Sequence, residues 1–308
     1  FVWLSCRFDC AWRAAQSTQG TRGKIIMIKA LFEYQFLQNA FISGILASIV
    51  CGMIGVIVIE KKLVMMSGGI AHTAYGGVGL GYLMGFEPIL GAFIFSICAA
   101  IGIGYIKRKG STSSDVIIGL FWSLGMALGI LFIALMPGYP PDLSSYLFGS
   151  ILSVTKADLY LIITLTCIVT LVIVTLYHDW KAYLFDEEFA SIIGVRTAFL
   201  EYLLLILIAM TVVVLIRVVG IILVLALITA PAATAGMLTS NLKKRMIYSV
   251  LLGSIFCISG LWISYELNIA SGASIVILSV MCYFIFYIVR SFHTRLTRKR
   301  VAGGNEFK

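Results

Sequence analysis

Long apolar segments separated by short polar ones make up most of this sequence. They run over about residues 36–59, 65–85, 88–106, 115–137, 159–177, 246–266 and 270–289. Each is close to the roughly 20 residues that a helix needs to cross a bilayer. The strict alternation of apolar and polar positions that is typical of membrane barrels is absent from them. We therefore expect an all-α, polytopic integral membrane bundle of about eight or nine transmembrane segments.

One apolar interval, 199–239, is too long for a single crossing. Gly220 and the small-residue segment 229–235 (TAPAATA) interrupt it. Two crossings fit this length, and so does one crossing followed by a re-entrant segment. The total number of spans depends on which of the two forms.

The pattern divides the chain into three parts. Residues 36–291 form the predicted transmembrane domain, residues 1–35 an N-terminal tail, and residues 292–308 a basic tail. Charged residues break up the first 26 residues, which match neither a signal peptide nor a span. Met27 is therefore the expected start, and the residues before it are either a disordered tail or an extension that the native protein lacks.

Composition agrees with a membrane protein, since 60% of the 308 residues are hydrophobic and 12% are charged. The mean hydropathy is +1.03. A chain this apolar has more hydrophobic residues than one soluble core can bury. The net charge of +9 comes from short basic clusters between apolar segments, which is typical of membrane topology rather than of a nucleic-acid-binding face. None of the seven cysteines forms a CxxC pair, so we assign no disulfide and no cysteine metal site.

The basic clusters also predict the orientation of the chain. They stand at 61–62, 107–109, 181 and 196, 243–245 and from 290 onward. All lie on one side if 199–239 crosses an even number of times, and Lys and Arg mark the cytoplasmic side of membrane proteins. The C-terminus is then cytoplasmic, and Arg217 lies near the opposite side.

The segment 65–85 combines the length of a span with many glycines and one histidine. Gly68, His72 and Gly76 stand four residues apart, which places them on one face of a helix. Glycines weaken a helix, so they are useful where another backbone or a passing solute comes close. His72 is either a neutral imidazole hydrogen-bonded to a neighbouring helix or a metal ligand or path-lining group, and the glycines around it favour the second interpretation. We assign five glycines to the path or to helix packing: Gly68, Gly69, Gly76, Gly77 and Gly81.

A polar interval at 178–196 holds three acids at 186–188, apolar residues after them and Gly194 near its end. Acids stabilise the first turn of a helix, and glycine commonly ends one. The sequence therefore predicts a short surface helix at this place.

No GxxxxGK[ST] phosphate-binding loop occurs in the chain, so a transport role would take its energy from another protein. Five motifs, in this order and spacing, resemble the permeases of ATP-binding-cassette (ABC) importers for zinc, manganese and related metals. They are Ile70-Ala71-His72 with the glycines after it, Asp142 to Gly149, Glu188 to Val195, Thr229 to Ala235, and Gly272 to Val276. The resemblance covers about residues 38–290.

The resemblance implies a membrane permease subunit of an ABC importer for divalent metal ions (zinc, manganese or iron), which forms the ion path and is not itself an enzyme. The implied partners are a cytoplasmic ABC ATPase that hydrolyses the ATP, an extracytoplasmic metal-binding protein and a second permease protomer. The implied location is the lipid bilayer of the inner (cytoplasmic) membrane. No catalytic residue, cofactor or nucleic-acid partner is expected, and the metal ion is the cargo.

The resemblance also assigns roles to particular residues. The segment that would couple the permease to the ATPase comprises Asp186, Glu187, Glu188, Phe189, Ala190, Gly194 and Val195. An ordinary solvated surface helix has the same pattern. Thr229, Pro231 and Thr234 would line the path or the dimer interface, or else form a packing kink.

His72 is the metal residue that the resemblance implies. The family carries an acid four residues before this histidine, and Gly68 stands there instead. Further ligands would come from Ser67, Thr73, the histidine of a second protomer or water. A sparse site suits a channel that must release its ion, because the binding protein supplies the capture.

Two other functions fit a polytopic membrane protein. An ATPase-independent secondary transporter or flippase would use acids or a proton relay within the membrane, whereas Glu201 and Glu266 lie near span ends. An intramembrane hydrolase would need a nucleophile paired with His72 or an HExxH helix, and the sequence shows neither.

Overall fold

Helices dominate the computed structural model, which describes residues 34–110, 114–137, 149, 151–267 and 269–304. Side chains are described as far as 292, except at 114 and 152. No strand is present in these ranges. Their α-helices, with a short 3-10 turn at Ile151–Ser153, are α1 (Gln35–Glu60), α2 (Val64–Met84), α3 (Pro88–Lys109), α4 (Ser114–Ala134), α5 (Lys156–Thr175), α6 (Tyr177–Phe185), α7 (Glu187–Ile192), α8 (Thr197–Val219), α9 (Ile221–Leu238), α10 (Leu242–Leu267) and α11 (Ser271–Gly304).

Most of these helices have the properties of membrane spans. Eight are long and apolar enough to cross a bilayer, namely α1, α3 to α5 and α8 to α11. Helix α2 also has the necessary length at 21 residues, but its glycines make it less apolar. The described ranges thus hold eight such helices, or nine with α2, which confirms the predicted polytopic helical bundle.

The interval 199–239 forms two helices, α8 and α9, which meet at Gly220. The φ angle of Gly220 is 83°, a backbone conformation that residues with a side chain rarely adopt. Both helices have the length and hydropathy of a span. This favours two crossings over one crossing followed by a re-entrant segment.

Other predicted boundaries agree with the structure to within a few residues. Helix α4 ends at Ala134 rather than at Pro137, because the residue before a proline is disfavoured in the α conformation. Helix α11 continues to Gly304, so most of the basic tail predicted for 292–308 is helical. The predicted N-terminal tail and the motif at 142–149 lie almost entirely outside the described residues.

Charged side chains pair at the two ends of the bundle. At one end the pairs are Lys61–Glu187, Lys107–Glu201, Arg108–Glu201 and Arg245–Glu60. At the other end Arg217 contacts both Glu87 and Asp158. The basic residues that the sequence placed on one side are thus found together, and Arg217 is found opposite to them.

Helices α1 and α8 occupy the centre of the bundle. In their most apolar stretches 67% and 72% of the residues are buried, compared with 28% in α4 and 22% in α11. Close backbone contacts hold the central helices together, since a Cβ atom at Gly55 of α1 would lie 2.1 Å from the carbonyl oxygen of Ile228 of α9. Helices α4 and α11 leave apolar surface that faces lipid or another chain.

Candidate functional site

The imidazole of His72, on α2, stacks on the indole of Trp122, on α4. The ring centroids are 4.0 Å apart and the ring planes differ by 11°. The Nδ1 atom of His72 is buried and has no hydrogen-bond partner among the described residues. The sequence left open a neutral imidazole hydrogen-bonded to a neighbouring helix, and Nδ1 forms no such bond to the described residues.

Close contacts between α2 and α4 fix the position of this ring pair. The Thr73 hydroxyl donates to the carbonyl oxygens of Gly69, at 2.7 Å, and of Phe121, at 3.1 Å. The second of these bonds joins the two helices next to the stacked rings. It connects Thr73, which follows His72, to Phe121, which precedes Trp122, and so holds the two helices in register beside the ring pair.

The predicted glycines of α2 lie at helix contacts. A Cβ atom at Gly68 would be 3.5 Å from the Trp122 ring, so the indole covers this position as well as His72. The contacts of the other four are closer, with Gly69 against Ile118, Gly76 against Gly125 and Phe95, Gly77 against Gly91, and Gly81 against Pro88. Helix packing accounts for these four glycines, and a role in lining the path stays a prediction.

The surroundings of His72 offer few further metal ligands within one protomer. Among the described residues, no three His, Cys, Asp or Glu side chains come together in a way that could hold a metal ion. The hydroxyl of Ser67 donates to the carbonyl oxygen of Val64 at 2.7 Å, and Thr73 donates as stated above. Both oxygen atoms retain the capacity to accept or to coordinate, so their role as ligands stays a prediction.

A cavity of about 330 Å³ lies beside α2 toward the end that contains Arg217. Its lining includes Tyr75 and Tyr82 of α2, with Glu87 and Arg217 at the charged side. The guanidinium of Arg217 lies 2.8 Å from a Glu87 oxygen and 2.7 Å from an Asp158 oxygen. One arginine thus joins the turn after α2, the end of α8 and the start of α5.

At the opposite end, helix α7 confirms the predicted surface helix with acids at its start. The Asp186 side chain accepts hydrogen bonds from the backbone N–H groups of Glu188 and Phe189, and so caps the first turn. After the helix, Gly194 has a φ of 90° and the N–H of Val195 donates to the carbonyl oxygen of Ala190. These local contacts fix the whole segment 186–195.

The outer face of this segment is apolar. Phe189, Ile192 and Ile193 are more than half exposed, and Phe185, directly before the segment, is 90% exposed. Ala190 faces inward and is fully buried. Exposed apolar side chains next to three carboxylates form a surface that suits contact with another protein better than contact with water alone.

Lys61, at the end of α1, holds α7 against the bundle. Its ammonium lies 2.9 Å from a carboxylate oxygen of Glu187 and 3.4 Å from the ring centroid of Tyr183 in α6. Burial, together with the carboxylates of Glu201 and Glu187, raises the pKa of the Tyr183 phenol. Independently of this shift, the face of the ring carries the cation–π contact with Lys61.

Residues 33–290 match the ABC 3 transport family. The chain belongs to this family. It is 40% identical over 270 residues to an uncharacterized membrane protein of Synechocystis, a match that covers 87% of this chain and 96% of that protein. It is 35% identical over 264 residues to the manganese transport system membrane protein MntC of Listeria monocytogenes, with 86% and 94% covered.

Among solved structures, this ABC 3 family member is similar to PsaBC from Streptococcus pneumoniae in complex with Fab. The TM-score is 0.76 at 34% sequence identity, and the match covers 84% of this chain and 94% of the other. The chain therefore shares its fold with this solved protein over almost the full length of the latter.

In this ABC 3 family member, the segment 229–235 (TAPAATA) lies in α9, in the core of the bundle. The hydroxyls of Thr229 and Thr234 donate to carbonyl oxygens of their own helix, at Leu225 and Ala230. Pro231 is buried inside α9 and lies near Gly253 of α10. These contacts are explained by helix structure and packing alone. That the segment lines the path or a dimer interface stays a prediction.

Two features of this ABC 3 family member were missed by the sequence reasoning. Trp122 was not recognised as the neighbour of His72, because an apolar pattern does not show which helix faces which. Glu201, taken only as an acid near a span end, is buried and pairs with Lys107 at 2.7 Å and with Arg108 at 2.8 Å. The basic cluster at 107–109 was placed on the same side as Arg196, and Glu201 follows Arg196 by five residues, so the sequence held a usable signal for this ion pair.

Proposed function

We propose that this chain is the permease subunit of an ABC importer for a divalent metal ion, with manganese as the first candidate. The observation that carries the proposal is the match to manganese permeases over nearly their full length, as in Listeria monocytogenes. The match to a Streptococcus gordonii manganese import permease, at 34% identity over 98% of that protein, points the same way. Zinc and iron are the other ions to be compared.

In this proposal, His72 supplies a nitrogen ligand to the passing ion. The residue is only partly buried in the single chain, on a face of α2 that also carries the exposed Met65. A second protomer related by two-fold symmetry would bring its own histidine to the same place, so a homodimer would offer two imidazoles. Few protein ligands and residual water give the weak binding that permits release.

The energy comes from a separate ATPase, so the chain itself is not an enzyme and needs no cofactor. The segment 186–195 would dock on that ATPase through Phe189 and Ile192, with its carboxylates facing basic residues of the partner. An extracytoplasmic metal-binding protein would deliver the ion at the end where Arg217 lies. By the distribution of Lys and Arg, the C-terminus is cytoplasmic and the protein spans the inner (cytoplasmic) membrane.

The positions of the acidic residues give less support to the alternative of an ATPase-independent transporter. A proton-coupled transporter would use a carboxylate that gains and loses protons within the membrane. The buried acid of α8, Glu201, already pairs with two cations at one end of the bundle. This carboxylate therefore holds α3 and α8 together.

Uptake of radioactive manganese by proteoliposomes tests this function. The chain is reconstituted with its ABC ATPase and with the metal-binding protein, and uptake is measured with and without ATP. We expect ATP-dependent uptake that His72→Ala abolishes while the complex still purifies intact. Uptake by the chain alone, without an ATPase, would overturn the proposal.

The docking surface is tested by co-purification of the same complex. We expect the double variant Glu188→Ala/Gly194→Val to lose the ATPase, because it removes a surface charge and strains a residue whose φ is 90°. The matched control is Lys181→Ala, on the preceding helix. An ATPase that stays bound to the double variant would remove this segment from the interface.

A further inference from the structure

The stacking of Trp122 on His72 leaves the two nitrogens of the imidazole in different surroundings. The indole covers one face of the imidazole, with 4.0 Å between the ring centroids and 11° between the ring planes. Imidazole nitrogens form their bonds in the plane of the ring, so a ring stacked on the face blocks neither of them. Nδ1 is buried, whereas Nε2 is not among the buried atoms without a partner. Nε2 is therefore the nitrogen that an incoming ion can reach.

We propose that Trp122 is a positioning residue for the transported ion, because its stacked indole holds the imidazole plane in the orientation that leaves Nε2 open as the ligand atom. This inference rests on the proposed function, in which His72 binds the passing divalent ion. It adds a residue on a different helix, α4, and it assigns the ligand atom. The indole acts through the histidine rather than by binding the ion.

A histidine side chain does not fix its own ring plane, because rotation about the bond to the ring has broad minima. A metal ion binds an imidazole nitrogen along its lone pair, which lies in the ring plane. The orientation of that plane therefore sets the direction from which the ion is bound. A stacked indole restricts this rotation, and a preorganised ligand binds more tightly without any new contact to the ion.

Close contacts between α2 and α4 hold the indole in place. The hydrogen bond from Thr73 to the carbonyl oxygen of Phe121 joins the two helices one residue away from each ring. A Cβ atom at Gly125 would lie 2.5 Å from the Cα atom of Thr73, so the two backbones touch there. The indole also lies against α2 one turn before His72, where a Cβ atom at Gly68 would be 3.5 Å from it. These contacts fix the indole along the surface of α2.

Protection of His72 by Mn²⁺ alone tests the positioning. The assembled complex in nanodiscs is treated with diethyl pyrocarbonate, which modifies imidazole nitrogens, and mass spectrometry follows His72 with His178 as the internal reference. We expect the Mn²⁺ concentration that gives half protection to rise about 2- to 10-fold in Trp122→Ala, the factor that corresponds to one aromatic stacking contact. Trp122→Phe keeps a stacked ring and should lie close to the wild type. An equal rise in both variants would contradict a role for stacking.

The matched control for a general loss of packing is Phe121→Ala. The Phe121 ring belongs to the same helix and lies against α3, since a Cβ atom at Gly102 would be 3.0 Å from it. We expect this variant to keep the wild-type protecting concentration even where its unfolding temperature falls. A rise in Phe121→Ala equal to that in Trp122→Ala would make Trp122 a packing residue only and overturn the inference.

Pulsed electron paramagnetic resonance of bound Mn²⁺ tests the assignment of the ligand atom. The complex is prepared with histidine that is isotope-labelled either at Nε2 or at Nδ1, and the His72→Ala complex identifies the signal that comes from this residue. We expect direct coupling between Mn²⁺ and the Nε2 label. Direct coupling to the Nδ1 label would overturn the assignment of Nε2.

These measurements separate failure of this inference from failure of the proposed function. Equal protecting concentrations in the wild type and in Trp122→Ala would overturn the role of Trp122 and leave His72 as an ion ligand. Absence of protection in the wild type would remove His72 as an ion ligand, and the role of Trp122 with it. ATP-dependent Mn²⁺ uptake by the same complex would show in that case that the permease function itself stands.

Discussion

Lys61 and Glu187 form an ion pair that joins the end of α1 to the first turn of α7. Lys61 is 17% exposed and Glu187 46%, so water reaches the pair from one side only. The same ammonium lies over the Tyr183 ring. The segment proposed to dock on the ATPase is thus fastened to one of the two most buried helices of the bundle.

Replacing Lys61 by Met should loosen this attachment. A partly exposed ion pair contributes up to about 1 kcal/mol and a cation–π contact about as much again. We expect a loss of about 1 to 2 kcal/mol in stability, measured as a lower unfolding temperature in detergent. Lys181→Met on the surface of α6 is the control, and an equal loss in both variants would contradict a specific role for Lys61.

Replacing Glu201 by Gln should weaken the contact between α3 and α8. Its carboxylate is only 5% exposed, while Lys107 and Arg108 are 30% and 36% exposed and can turn toward water when the acid is removed. We therefore expect a loss of about 1 to 3 kcal/mol, below the value for charges left fully buried. Chemical unfolding in detergent measures it, with the exposed Glu188→Gln as control. No loss would show that the pair is energetically neutral.

Replacing Lys62 by Gly should stabilise the end of α1. Lys62 is the one non-glycine residue with a positive φ, 57°, in the described part of the chain. A side chain in this conformation costs about 1 kcal/mol, which glycine avoids. We expect a slightly higher unfolding temperature for Lys62→Gly. The neighbouring variant Lys61→Gly should instead have a lower unfolding temperature, because it loses the ion pair with Glu187. A lower unfolding temperature in both variants would contradict the prediction.

Replacing Gly77 by Ala should disrupt the packing of α2 on α3. The new Cβ atom would lie 2.1 Å from the Gly91 carbonyl oxygen, so the two backbones must move apart. Overpacking of this kind costs about 1 to 3 kcal/mol. The control is Gly119→Ala on α4, where no atom lies within 4 Å of the new Cβ and the better helix former should be neutral or slightly stabilising. Thermal unfolding in detergent compares the two variants. Equal unfolding temperatures would contradict the prediction.

Most of the fold could be predicted from the sequence, because the length and hydropathy of a span are local properties. The break at Gly220 and the short helix after Asp186 were also marked locally, by a glycine and by a row of acids. Which helices touch is not a local property. The stacking of Trp122 on His72 and the pairing of Glu201 with the end of α3 join positions 50 and about 90 residues apart, and no periodicity in either helix identifies them.

The function could be reached because several short motifs occurred together in order, although each was weak alone. The site could be predicted less completely, since the residue four before His72 is a glycine and gives no indication of a second ligand. The structure shows an indole over that position. By pattern alone, a tryptophan that packs against another helix cannot be distinguished from one on the exposed surface of the bundle, such as Trp262.

Two charged contacts, one at each end of this bundle, should differ in their response to dissolved salt. Arg217 and Glu87 are 38% and 57% exposed, so external ions can compete for their contact, whereas the Glu201 carboxylate is shielded from them. A rise in salt concentration should then weaken the contact between Arg217 and Glu87 more than the pairing of Glu201 with Lys107 and Arg108. In strong salt the turn after α2 would therefore separate from the end of α8 before α3 separates from the start of α8.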